Sequence, residues 1–215
     1  LETKIPHKSI VFYITIIGII IGLCGFAIYP DNSNSAIITD VPVKYTKITQ
    51  QDIIESKYTK ITQDSIKTNN YIVKIINNLQ PKIDKFVAEE IARAIVSCSY
   101  EYKLPIELII SLMNRESTFN PLAVSSADCC GLMQINYNVH KNELKSKLDI
   151  NNYYECFYIE NNIKAGCLIL STYLKKNNNN IKASLKNYVG GKHNSYIEDI
   201  LVLFTELIIE KEKNA

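Results

Sequence analysis

Apolar residues follow two different patterns along this chain. From Ile10 to Tyr29 twenty residues pass without a charge, apolar on every face. At the rise of an α-helix such a run spans about 30 Å, the thickness of a bilayer core. Lys4, His7 and Lys8 precede it, and Asp31 and Asp40 follow. The positive-inside rule then puts the N-terminus in the cytoplasm and everything after Tyr29 outside. The apolar core of a cleaved leader is shorter, about 7–15 residues. An uncleaved anchor over residues 1–30 is therefore the expectation, with Ser33-Asn-Ser-Ala36 as the site a cleaved leader would use.

Further on, apolar positions recur at intervals of three and four, which is helical spacing. This holds for Asn69–Leu79, ending before Pro81, and more strongly for Ile83–Cys98. In the second stretch Phe86, Val87, Ile91, Ala94, Ile95 and Cys98 make the stripe expected to be buried. Pro105 suits a first helical turn and opens the apolar run to Met113. A short charged helix is expected over 141–148. Another is expected over 159–175, with Ile163, Gly166, Cys167, Leu170, Tyr173 and Leu174 on one face. Ile181–Val189 stops at Gly190-Gly191, and a last helix is expected over 196–211. Strand signals are nearly absent. Residues 81–215 therefore read as one mainly α domain, long enough for its own core.

Between anchor and domain, residues 31–80 read as a polar linker. It opens Pro30-Asp-Asn-Ser-Asn-Ser, and Lys44-Tyr-Thr-Lys-Ile-Thr-Gln50 recurs unchanged as Lys57-Tyr-Thr-Lys-Ile-Thr-Gln63. Two copies fall short of the roughly three that a repeat architecture needs. A local duplication in a tolerant stalk is the simpler reading. The formal net charge is only +2 and no basic cluster stands out, so nucleic acid has no electrostatic footing as a partner.

Chemistry concentrates between Met113 and Gln134. An apolar run delivers one carboxylate, Glu116, into a turn holding Ser117, Thr118, Asn120 and Ser125, closed by Gly131-Leu-Met-Gln134. A carboxyl group at the edge of an apolar element is suited to proton donation near neutral pH. The neutral hydrogen-bonding residues around it suit an uncharged polyhydroxyl substrate such as a sugar.

Glu116-Ser117, Asn120-Pro121, Ala123-Val124-Ser125 and Gly131-Leu132-Met133-Gln134 resemble, without a gap, the signature of the soluble lytic transglycosylase family. Asn162-Ile163 before Gly166 resembles its second motif. Ala183-Ser-Leu-Lys-Asn-Tyr-Val-Gly-Gly191 resembles its third, with Tyr188 as the matching tyrosine and Val189 where the family has Asn. The resemblance implies a lysozyme-like fold related to goose-type lysozyme. It also implies cleavage of the MurNAc–GlcNAc β-1,4 bond of peptidoglycan glycan strands, without metal or cofactor. Glu116 would be the single general acid and base, and the products would carry 1,6-anhydro-muramic ends. Ser125, Met133, Gln134 and Tyr188 match positions at the substrate. Such a domain, anchored in the bacterial inner membrane through residues 10–29, would work in the periplasm. Members of this family open the wall for secretion and conjugation machines, so such an apparatus is the candidate protein partner. The reading from another class is a wall-binding structural component of one.

One departure from the pattern bears on the chemistry. Asp128 stands where the family has a small residue, often Gly. Facing the cleft at about 6.5–9.5 Å from Glu116, it would be the second carboxylate of an inverting hydrolase. Of six cysteines, Cys24 lies in the apolar run, and Cys98, Cys129, Cys130, Cys156 and Cys167 lie in the domain. An outside location permits disulfides, but connectivity cannot be read from spacing. No Cys-x-x-Cys pair suggests a metal, and a Cys–His pair using His140 or His193 lacks a supporting motif.

Overall fold

The computed structural model describes residues 49–191 and 194–213. The apolar run at 10–29 and the first copy of the duplicated segment, apart from Thr49 and Gln50, lie outside the described residues. So does His193.

Seven α-helices follow one another among the described residues: α1 (Gln50–Leu79), α2 (Lys85–Tyr102), α3 (Ile106–Ser117), α4 (Tyr137–Leu148), α5 (Ile159–Lys176), α6 (Ile181–Tyr188) and α7 (Asn194–Lys213). A 3-10 turn occupies Tyr153–Phe157. The strands are two-residue pieces, β1 (Cys129–Cys130) and β2 (Ile135–Asn136), paired antiparallel with Cys130 opposite Ile135. No described helix is long and apolar enough to cross a membrane.

The stretch read as linker is where the structure differs most. Residues 50–79 form one continuous helix. Its sequence has no Gly or Pro, so nothing interrupts the backbone hydrogen bonds. Its first half is exposed, with Ile54, Ile61 and Ile66 each about half accessible. Ile72, Ile75 and Ile76 near its end are buried in the core. The packed domain therefore begins before residue 81. Helical spacing is legible only over 69–79, because the sparse apolar residues before it make no continuous stripe, and a helix that packs only by its last turns needs none.

The remaining helices sit where spacing places them. In α2 the capping residue Asp84 accepts from the Phe86 and Val87 backbone N–H groups, satisfying two otherwise unpartnered donors. Its inward face is Ala88, Ile91, Ala92, Ile95 and Cys98. Phe86, expected in the stripe, is 76% exposed instead. It stands in the first turn, where the helix has not yet met its neighbours. Helix α3 is buried almost all round from Glu107 to Met113, which makes it the central helix. It packs most extensively on α7, and α2 on α5. Glu107 is buried yet paired, since Lys211 Nζ on α7 donates to its Oε1 at 2.8 Å. That contact ties the start of α3 to the end of the chain.

Candidate active site

Glu116 sits in the last turn of α3, where the buried helix emerges into an open groove. Thr118 and Phe119 end the helix in left-handed conformation, with φ of 51° and 60°. The Thr118 N–H donates to Asn114 O, and Phe119 is buried beneath the turn. The neighbouring Ser117 explains the Glu-Ser pairing. Its Oγ donates to Leu132 O at 2.7 Å, so the helix end and the Gly131–Gln134 turn are joined directly behind Glu116.

That turn rests on Asn162. The Asn162 side chain is buried, and its Oδ1 accepts from the Met133 N–H at 2.7 Å. Its Nδ2 donates to Cys130 O at 2.9 Å and to Cys156 O at 2.6 Å. One amide thus satisfies three buried backbone groups, each costly to leave unpaired. Gly131 adopts φ +73°, and a Cβ there would run into the Asn162 amide. Only glycine meets both demands at this position.

The groove brings together Glu116, Ser125, Gln134 and Tyr188, with Arg115, Asn136, His140, Val189 and Tyr196. Ser125 Oγ accepts from the Ala127 and Cys129 N–H groups at 3.3 and 3.2 Å. Gln134 Nε2 donates to Ala123 O and Gly131 O. Tyr188 Oη donates to Met133 O at 2.8 Å. Burial first, then the nearby Glu116 carboxylate, pushes the Tyr188 phenol well above its ordinary value. Burial pushes the His140 imidazole down against the opposing pull of Glu143.

Met133 differs from expectation. Its side chain does not line the groove but is fully buried. It packs so closely on Gly166 that a Cβ there would overlap the Met133 sulfur. The alternation of a turn sends Met133 inward, and its share in the site is its backbone, held by Asn162 and Tyr188. Asp128 also differs from the hydrolase alternative. It is exposed at φ +56°, and Ala127 and Cys129 line the groove while Asp128 does not.

Two residues carried no sequence signal. Tyr196, on the first turns of α7, donates its hydroxyl to Arg115 O at 3.3 Å and stands beside the Glu116 carboxylate. Burial and then Glu116 raise its pKa, with Arg115 opposing. The Arg115 guanidinium covers the Tyr196 ring at 4.0 Å and pairs with Asp199 at 3.2 Å. Arg115, next in sequence to Glu116, thereby clamps the tyrosine that stands beside the carboxylate.

Residues 93–197 match the family described as Transglycosylase SLT domain. Among curated proteins, the chain is 35% identical over 122 residues to "Membrane-bound lytic murein transglycosylase C" of Klebsiella pneumoniae (strain 342), covering 54% of this chain and 32% of that protein. It is 36% identical over 100 residues to the protein of the same name from Photorhabdus laumondii, covering 44% of this chain and 26% of that one. The chain thus spans no more than 32% of the length of these two relatives. No solved structure gives a significant match.

Proposed function

We propose that this chain is a peptidoglycan lytic transglycosylase with Glu116 as its single general acid and base. The observation that carries this is the setting of Glu116. A carboxyl group at the matching motif position emerges from a buried helix into a groove of neutral hydrogen-bonding residues, with the phenols of Tyr188 and Tyr196 beside it. The protonated carboxyl group donates to the bridging glycosidic oxygen as the bond breaks. The resulting carboxylate then takes the proton of the muramic acid 6-hydroxyl. That oxygen attacks the anomeric carbon and closes a 1,6-anhydro ring, with no water consumed. Most glycosidases divide this work between two carboxylates. Here the substrate's own acetamido group stabilises the sugar cation in place of a second one, as in known substrate-assisted enzymes.

Ser125 and Gln134 hold the sugar on one wall of the groove, and Tyr188 and Tyr196, beside Glu116, hold it on the other. With its oxygen accepting two N–H groups, Ser125 offers its hydroxyl proton to a sugar oxygen. Val189, in place of the family's Asn, presents an apolar surface there. The uncharged run at residues 10–29 and the membrane-bound relatives support anchoring at the inner membrane, with the groove on the periplasmic side facing the wall.

A zymogram on peptidoglycan tests the reading. Wild type clears the gel, and Glu116→Gln, which keeps shape but cannot transfer the proton, loses roughly a hundred- to ten-thousand-fold in rate. A Glu116→Gln protein that clears as fast as wild type rules Glu116 out.

A further inference from the structure

The mechanism leaves five thiols in the domain unused: Cys98, Cys129, Cys130, Cys156 and Cys167. Four of them are fully buried, and they lie in two pairs. Cys98 on α2 and Cys167 on α5 are both fully buried between a closely packed pair of helices, and each thiol lies within electrostatic reach of the other. Cys130 in β1 and Cys156 in the 3-10 turn are held side by side by their backbones. Both carbonyl oxygens accept from the one Asn162 Nδ2, at 2.9 and 2.6 Å. The Cys130 thiol donates to Ile135 O at 3.2 Å, with the Cys156 thiol within its electrostatic reach. Cys129 stands apart. In a strand, successive side chains point to opposite faces, so Cys130 faces the core while Cys129 faces the groove, half-exposed.

We propose that Cys98–Cys167 and Cys130–Cys156 are the disulfide pairs of the mature domain, with Cys129 left as a thiol in the groove. Disulfide formation requires the two sulfurs to be neighbours before oxidation, and the members of each pair are buried together while Cys129 faces the groove. Each bond forms as two thiols give up two protons and two electrons to a disulfide-bearing oxidant, a small-molecule disulfide or an oxidised dithiol protein. The oxidant's own sulfur–sulfur bond breaks to give two thiols. Persistence of the bonds rests on the outward location argued above, where such oxidants prevail.

The two bonds would act at different places. Cys130–Cys156 fixes the same junction as Asn162, so the turn behind Glu116 would be held covalently as well as by hydrogen bonds. Cys98–Cys167 ties the two core helices and encloses the first loop. Both act chiefly by restricting the unfolded chain, the longer loop more.

The test is a thiol map of the full chain produced in an oxidising compartment. The protein is unfolded in denaturant and alkylated without reductant, then digested and sequenced by mass spectrometry. The expected result is peptides joined at Cys98–Cys167 and Cys130–Cys156, with Cys24 and Cys129 alkylated. Reductant should then lower the Tm of this protein and not that of the same chain made in a reducing cytoplasm. Absence of either bond, or any cross-link through Cys129, overturns the proposal. Cleavage of peptidoglycan is measured on the same sample. Bonds in a chain that cleaves nothing count against the proposed activity alone, and free thiols in an active chain count against the pairing alone.

Discussion

The two walls of the groove are built on opposite principles. On one side the Gly131–Gln134 turn is held by a single buried side chain. Asn162 satisfies three backbone groups at once, Ser117 adds a fourth contact, and Gly131 makes the close approach possible. None of these bonds is made by a titratable side chain, and every one ends on a backbone atom. On the other side, Tyr188 and Tyr196 project from α6 and α7, either side of the Gly190-Gly191 turn with φ of 68° and 76°. Their phenols reach across to Met133 O and to Glu116. The first wall fixes where the carboxylate stands, and the second sets its electrostatic surroundings. Damage to the first should therefore appear as lost stability, and damage to the second as altered rate and pH dependence.

Asn162→Ala breaks the comparison most severely. It strands the Met133 N–H and the Cys130 and Cys156 carbonyls in the core. Unfolding by denaturant should show a loss of about 3 kcal/mol, since each orphaned buried group costs about 1–3 kcal/mol and the loosened site recovers part of it. An Asn162→Ala protein as stable as wild type would mean that the amide does not hold this wall.

Tyr196→Phe should do the reverse. It removes the hydroxyl beside Glu116 with its bond to Arg115 O, leaves the ring under Arg115, and should change stability by no more than about 1 kcal/mol. The rate should fall about tenfold, the effect of losing one polar contact beside the reacting group. A hydroxyl dipole beside the carboxylate favours its charged form, so without it Glu116 should keep its proton to higher pH. The alkaline limb of the rate profile should move upward. An unshifted limb would place Tyr196 outside the catalytic electrostatics.

The smallest effect concerns stability in base. Both groove phenols are raised above their ordinary value of 10.0. The unfolded chain therefore gives up protons that the folded domain retains. The stability this contributes is full below pH 10 and is lost as pH rises toward the raised values. The double variant Tyr188→Phe, Tyr196→Phe should lose stability less steeply than wild type above pH 10, measured by Tm against pH. An equal slope would show that these phenols do not set it.

Much of this was legible in the chain because the site is dense in motif. Glu116, Ser125, Gln134 and Tyr188 lie in blocks of fixed spacing, and the groove does bring them together. Helices with a continuous apolar face, α2 and α5 above all, were equally readable. Sequence reasoning failed where only the packing partner decides the outcome. Met133 looked like a groove residue because its neighbours are, yet the turn sends it against Gly166. Helix α1 looked like a stalk because only its last turns meet the core. Tyr196 gave no sign at all, because its role depends on α7 returning to α3 and on the clamp by Arg115. The anchor expectation stands on its charge-free length alone.

The most direct measurement is digestion of peptidoglycan by the full chain in water enriched in heavy oxygen, followed by mass spectrometry of the released fragments. If Glu116 works alone and the 6-hydroxyl is the nucleophile, the muramic ends should be 1,6-anhydro and carry no heavy oxygen. Reducing ends bearing one heavy oxygen each would mean that water is the nucleophile, and the single-carboxylate mechanism would be wrong.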